Sequence, residues 1–308
     1  MEIRNLRLLG LLLVVLVTTA SGQTARGRAL VIKTEPKAVV WLNGIRYGTT
    51  DDQGQLDIKH APAGRQLVRV RADGFKEASK TILPTQTGNI EIPLTKTADE
   101  AELAFQEAEK LSTVDRKRSE TAYRNAIKAN PGFVEAHVGL ARVLSDAGDL
   151  EEAAKAIREA VRLRPRDPEA AAVEGRIAKL SDQEPKAIAA FRRAITNGAG
   201  FQPEAYTGLA MLYQERAEAA ASGSDFALEK RNYAEAEKNF AMAVKQLGTG
   251  ADAPTIYQLL GLVYEKQHKY KEAIALYEDF LRLFPNSVEA TAVQSFIVQL
   301  KKQMADQK

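Results

Sequence analysis

The chain has 308 residues, room for two domains, and carries 43 Lys and Arg against 40 Asp and Glu. A balance this even does not call for a nucleic-acid partner. There is no cysteine, which excludes disulfides, thiolate metal sites, cysteine nucleophiles and attachment through a lipidated N-terminal Cys.

Residues 1–22 read as a secretory signal. Arg4 and Arg7 form a basic end, Leu8 to Val17 an apolar run, and Thr18 to Gly22 supplies small residues for cleavage after Gly22 or Ala20. The competing reading is an uncleaved anchor, but the run is short beside the about 20 apolar residues of a membrane span. Either way the chain is expected to leave the cytoplasm, for the periplasm, cell envelope or medium, with no transmembrane span after signal cleavage.

From Arg28 to Leu94 apolar residues alternate or form short β-branched runs, the pattern of strands. Leu30-Val31-Ile32 is one strand. Val39 to Leu42 runs into Asn43-Gly44, a hairpin turn pair that tolerates positive φ, and Ile45-Arg46-Tyr47 returns. Leu56 and Ile58, Leu67 to Ala72, Ile82, and Ile90 to Ile92 supply the rest. About seven short strands make a small β-sandwich over residues 23–95. This stretch holds 11 basic and 7 acidic residues, a mild polarity that suits a solvated surface.

The run Glu35-Pro36-Lys37-Ala38, with Trp41-Leu42-Asn43-Gly44, Tyr47-Gly48-Thr49-Thr50 and Asp73-Gly74-Phe75, resembles the PEGA domain. Lys37 stands where that family usually has Gly. Asp51 to Phe75 is equally similar to the carboxypeptidase regulatory-like fold. Both resemblances imply a non-catalytic module of exported proteins.

Residues 96–308 change to a helical period. Gly139, Leu140, Ala141, Leu144, Ala153, Ile157, Ala160 and Pro165 return in kind about 34 residues on as Gly175, Ala187, Phe191 and Ala194. The last copy is Tyr257, Leu260, Gly261, Tyr264, Ala273, Tyr277 and Pro285. These residues resemble the tetratricopeptide repeat. The resemblance implies a right-handed superhelix of stacked helix pairs, an all-α solenoid of about five repeats. The first repeat is degenerate, with Glu107 at a small-residue place, so it is expected to pair loosely or to pack on the sandwich. The fourth carries about 14 residues beyond the family spacing. They are expected to extend its first helix to about Ala220, turn at Ser222-Gly223-Ser224 and return from Phe226. Ala220 to Glu229 is expected to lack a place in the core and to be the most mobile part. Ser287 to Gln303 reads as a capping helix with Val288, Val293, Phe296, Ile297 and Leu300 inward.

Motifs for chemistry are missing. His60, His137 and His268 are scattered, without metal-ligand spacing. Asp51, Asp52 and Asp57 with Gly54 fail the spacing of a calcium loop and read as a hairpin turn. No phosphate loop or nucleophile elbow occurs. No cofactor and no enzyme activity are expected.

The repeat resemblance implies a concave face lined by the first helix of each pair. It would carry Glu135, Val138 and Arg142, then Glu169, Arg176 and Lys179, then Glu204 and Met211, then Gln258 and Leu262. Arg142, Arg176 and Lys179 are read as a basic strip for an acidic stretch of a protein partner, or else as a face neutralised by Glu135 and Glu169. Met211 and Leu262 are the apolar candidates. The expected function is a non-enzymatic exported adaptor. The rival is a cell-wall or glycan-binding protein whose sandwich holds envelope polysaccharide while the solenoid is a spacer.

Overall fold

A computed structural model describes residues 28–306; the expected signal lies outside the described residues. Seven strands come first: β1 Arg28–Lys33, β2 Val39–Leu42, β3 Ile45–Thr49, β4 Gln55–Ala61, β5 Gln66–Arg71, β6 Ala78–Ile82 and β7 Gly88–Glu91. They form two sheets. One has the order β4-β1-β7, with β1 and β7 parallel; the other is antiparallel in the order β3-β2-β5-β6.

Side chains alternate across each strand. Leu30, Ile32, Ile58 and Ile90 from one sheet therefore meet Val40, Leu42, Val68, Val70 and Ile82 from the other, all buried. Asn43 and Gly44 both take positive φ, as the β2–β3 turn requires. The Asp51 carboxylate accepts from the Gln53 and Gln55 amides at 2.9 and 2.8 Å, so it closes a turn.

Five helix pairs follow, then a last helix. They are α1 Glu100–Leu111 with α2 Arg116–Ala129, α3 Val134–Asp146 with α4 Leu150–Leu163, and α5 Pro168–Leu180 with α6 Glu184–Asn197. Next are α7 Pro203–Ser222 with α8 Phe226–Leu247, α9 Ala253–Lys266 with α10 Tyr270–Leu283, and α11 Ala290–Asp306. Asp99, Asp115, Asp149, Asp167 and Asp225 each cap a helix start by accepting backbone N–H bonds.

Aromatic wedges set the stacking. Phe191 of α6 is fully buried between Gly175 of α5 and Gly208 of α7. A Cβ on Gly175 would stand 2.6 Å from the Phe191 ring, and one on Gly208 would overlap it. Glycine is needed at these places for close approach. Helices α3, α5 and α7 touch one another across the pairs, so the first helices make the inner layer.

The structure refines three expectations. Val288 is exposed, and Phe296 is 42% exposed although its ring centre lies 6.0 Å from that of Tyr277 on α10, while Val293, Ile297 and Leu300 are buried. In the fourth pair the first helix runs on and the second returns from Phe226 as expected, with Gly223–Asp225 as the turn; only Ala220 departs, being buried. The first pair is closed rather than loose, because Ala108 fills the contact and its carbonyl accepts from the Ser119 hydroxyl at 2.7 Å, and α1 packs on the sandwich, the other outcome expected of it. Glu107 points to solvent, 3.5 Å from Arg118.

Candidate binding groove

The sandwich is seated on the inner layer of the helices. Period-two alternation sends Val40, Leu42, Val68 and Val70 into the sandwich core, so Trp41, Arg69 and Arg71 share the opposite face. Trp41 stands across from Arg69 in the β2–β5 register. The Arg69 guanidinium lies 4.6 Å from the Trp41 ring centre. Arg71 lies 5.5 Å from the same ring and 4.4 Å from the Phe105 ring of α1, within cation–π reach of both.

Helix spacing explains what Arg71 meets. Glu102, Phe105, Gln106 and Glu109 fall on one face of α1. Arg71 is 9% exposed. It pairs with Glu77 of the sandwich at 2.5 Å and approaches Glu102 and Glu109 at 3.9 and 3.8 Å. Gln106 clamps the turn after β5. Its Oε1 accepts from the Gly74 amide at 2.9 Å and its Nε2 donates to the Phe75 carbonyl at 2.7 Å.

The floor lies on α3, α5 and α7. Arg142 grips Glu204 with two bonds, at 3.0 and 2.5 Å, and stands 3.5 Å from Glu169. Burial draws the Arg142 pKa down, but Glu204 and Glu169 outweigh it and hold it above the usual arginine value. Burial raises the Glu169 carboxyl, Arg142 opposes that, and Glu204 adds to it. A cavity of about 120 Å3 remains between floor and roof, lined by three arginines (Arg69, Arg71, Arg142) and three glutamates (Glu109, Glu135, Glu169), with Phe105, Val138 and Gly139.

A second contact lies far along the chain. Ile45 is buried in the cluster that holds Leu247, Ala253 and Ile256. The Ala251 amide donates to the Arg46 carbonyl at 2.9 Å. Burial against Leu247 pushes the Tyr47 phenol up to about 12, against hydrogen bonds with Thr249 that draw it down.

The structure places the expected site residues apart from one another in environment. Arg142 lines the cavity, whereas Arg176 and Lys179 do not. Arg176 pairs with Asp146, and Lys179 with Glu215 at 2.6 Å. Glu135 pairs with Arg164 at 2.9 Å instead of with Arg142. Met211 and Leu262 are 37% and 45% exposed. The sequence reading named Trp41 only within the PEGA resemblance and gave Trp41, Arg69 and Arg71 no place in the site; an outward Trp beside Arg-x-Arg on the paired strand was the available signal. Among the described residues no group of three His, Asp or Glu is placed to hold a metal, and no helix is long and apolar enough to cross a membrane.

Models of the tetratricopeptide repeat match residues 114–168, 139–200 and 254–287. The matched stretches are tetratricopeptide repeats, and the helices as a whole form a solenoid of that kind. No curated protein matches the chain. Among solved structures, yeast Tom70 is similar over 68% of this chain and 41% of its own, at 16% identity and a TM-score of 0.53. TTC0263, a thermophilic TPR protein of Thermus thermophilus, is similar over 64% of this chain and 99% of its own, at 18% identity and a TM-score of 0.50. At these identities the likeness concerns the fold of the repeats. No catalytic family is indicated by these matches.

Proposed function

We propose that the protein is a non-enzymatic exported scaffold that holds a protein partner on the inner face of its repeats, with the PEGA-like sandwich as an envelope-associated module. The repeat fold supports the scaffold role. The observation that carries the site is the exposure of Met211 and Leu262 on first helices of their pairs, where an apolar side chain gains from being covered. An acidic partner stretch on Arg142, Arg176 and Lys179 would have to displace Glu204, Asp146 and Glu215, which already hold them. The glycan reading draws no support from Trp41, whose ring lies under Arg69.

Affinity capture from an envelope extract, using residues 23–308, tests the site. Proteins retained by the parent should be lost with Met211→Asp and Leu262→Asp together. Unchanged recovery would place recognition elsewhere. Export is tested separately by fusing residues 1–22 to a reporter that is active only outside the cytoplasm. A silent fusion would overturn that part.

A further inference from the structure

The second helices of the pairs form the outer layer, and α2 differs from its neighbours in charge. It carries Arg116, Lys117, Arg118, Arg124 and Lys128 against a single acid, Glu120. All of these cations are exposed. Its first turn holds Arg116, Lys117 and Arg118 and no acid, although the helix dipole favours negative charge there. Lys117, Thr121, Arg124 and Lys128 follow at helical spacing, so they line one stripe, away from buried Ala122, Tyr123 and Ala126. On α4 the outward cations are answered within the helix: Lys155 pairs with Glu151 and Glu152, and Arg162 with Glu159. On α2 only Arg118 and Arg124 are paired, the first with Glu107 at 3.5 Å, the second with Glu120 at 2.9 Å and Glu152 at 4.0 Å. Among the described residues Arg116, Lys117 and Lys128 form no ion pair.

An apolar cleft opens beside this stripe, between α2 and α4. Leu140 and Leu144 of α3 form its floor, and Ile127 and Ala156 its walls. Its volume is about 360 Å3, within the size of a ligand pocket. Arg124 and the unpaired Lys128 stand on its α2 rim. The α4 rim holds Glu152, Lys155 and Glu159, whose charges are already matched by one another and by Arg162. The charge left over at the mouth is therefore positive and lies on the α2 side. We propose that this outer face docks on a membrane surface rich in anionic phospholipid. Headgroup phosphates would sit on Lys117, Arg124 and Lys128, with an acyl chain in the cleft. A phospholipid joins an anion to an apolar chain, which is the pairing that stripe and cleft offer. A soluble acidic polymer would use the stripe and leave the cleft wet. Val114, 80% exposed in the turn before α2, adds apolar surface at the end of the stripe. No part of the fold has to move, and the inner face stays open to a protein partner.

The test is cosedimentation of residues 23–308 with vesicles of phosphatidylcholine containing phosphatidylglycerol, and with vesicles of phosphatidylcholine alone. Leaving out residues 1–22 keeps their apolar run from binding the vesicles itself. The first vesicles should bind the protein, less as salt rises, and the second should not. Lys117→Gln with Lys128→Gln should lower the affinity about thirtyfold, the sum of two cations at an anionic surface. Lys266→Gln with Lys271→Gln removes the same charge from α9 and α10 and should leave it within about twofold. Ala156→Met, which fills the cleft, should lower it about fivefold. Trp41, the single tryptophan, faces the inner layer, so its emission should not change on binding. Circular dichroism checks that helix content is kept in each variant. No binding to the anionic vesicles, or equal losses from the two lysine pairs, overturns the docking face. Full competition by soluble polyglutamate at equal charge would assign the stripe to an acidic polymer and overturn the lipid. An unchanged affinity in Ala156→Met overturns the place of the acyl chain. A shift of Trp41 emission would move the contact to the sandwich and overturn the outer face as the site.

Discussion

The two halves of the inner face share one repeat architecture and differ in what covers them. In the first half, α1, α3 and α5 lie under the sandwich, and Arg142 is held by two glutamates. In the second half, Met211 of α7 and Leu262 of α9 are open to solvent. Where a second domain lowers the local dielectric, a charge demands a specific partner. Where the face is open, an exposed methyl or thioether offers about 25 cal/mol per Å2 to whatever covers it. The comparison separates a half shaped by internal electrostatics from a half whose apolar side chains are left uncovered. Substitutions along the chain break or sharpen that distinction.

The largest effect is expected at the joint between the halves. Phe191 is wedged between α5 and α7, so Phe191→Ala removes the packing that couples them. A loss of about 3–5 kcal/mol is expected from the cavity and lost burial. Stability in stacked repeats is a sum of repeat and neighbour contributions. Denaturant unfolding of the variant should therefore broaden or split, with the first half melting apart from the second. A single transition at the parent midpoint would show that the halves are not joined through Phe191.

Arg142→Leu comes next and acts on the covered half alone. It leaves Glu204 and Glu169 without their shared cation. The Arg142 side chain is 30% exposed, so the cost falls below that of a fully buried pair, at about 2 kcal/mol. Arg176→Leu, which breaks a single pair with a half-exposed Asp146, should cost about 1 kcal/mol or less. Chemical denaturation of the two variants measures the contrast. Equal losses would mean that the roof does not change how charges are held.

Much of this was legible in the sequence, for identifiable reasons. The strands announced themselves because alternation and Asn43-Gly44 act locally. The repeats did so because Gly139, Gly175 and Gly261 recur where aromatic rings must approach a backbone. Arg142 was found for the same reason, from its place in the repeat. Its main partner was not, because Glu204 lies two repeats on and is brought near only by the curvature of the stack. The roof was missed on different grounds. Trp41, Arg69 and Arg71 sit on outward positions that, within the strand pattern, look the same as a solvated face. Only the seating of one domain on the other gives them partners.

A smaller change tests that seating. A Cβ on Gly250 would overlap Ile45 of the sandwich, so Gly250→Ala should push the two apart. The cost should fall within the range for overpacking, about 1–3 kcal/mol, because the Ala251 amide ties the segment to the Arg46 carbonyl and limits its retreat. Tyr47 provides the readout. Burial holds its phenol near 12 in the parent, above the ordinary value of about 10. The neutral form is the one favoured by contact. The stability it contributes is therefore complete below about pH 10 and is lost as pH climbs toward 12. In the variant, alkaline absorbance should show one more tyrosine titrating near the ordinary value. Comparison with Gly250→Ala carrying Tyr47→Phe assigns the change. An unaltered titration would mean that Ile45 moves aside and the sandwich stays in place.

The smallest effect on stability, and the sharpest on the comparison, is expected in the open half. Met211→Ser and Leu262→Ser remove apolar atoms that are already wet. Each should change unfolding free energy by no more than about 0.5 kcal/mol. The same pair should lower the yield of captured partner, because covered apolar surface at the centre of an interface carries much of its affinity. Trp41 emission should not move, since neither residue lines the covered cavity. Two results would collapse the distinction between the halves. If stability drops by several kcal/mol, Met211 and Leu262 belong to the core of the stack. If Trp41 emission shifts, the open half and the roof are coupled, and the inner face works as one surface from α1 to α9.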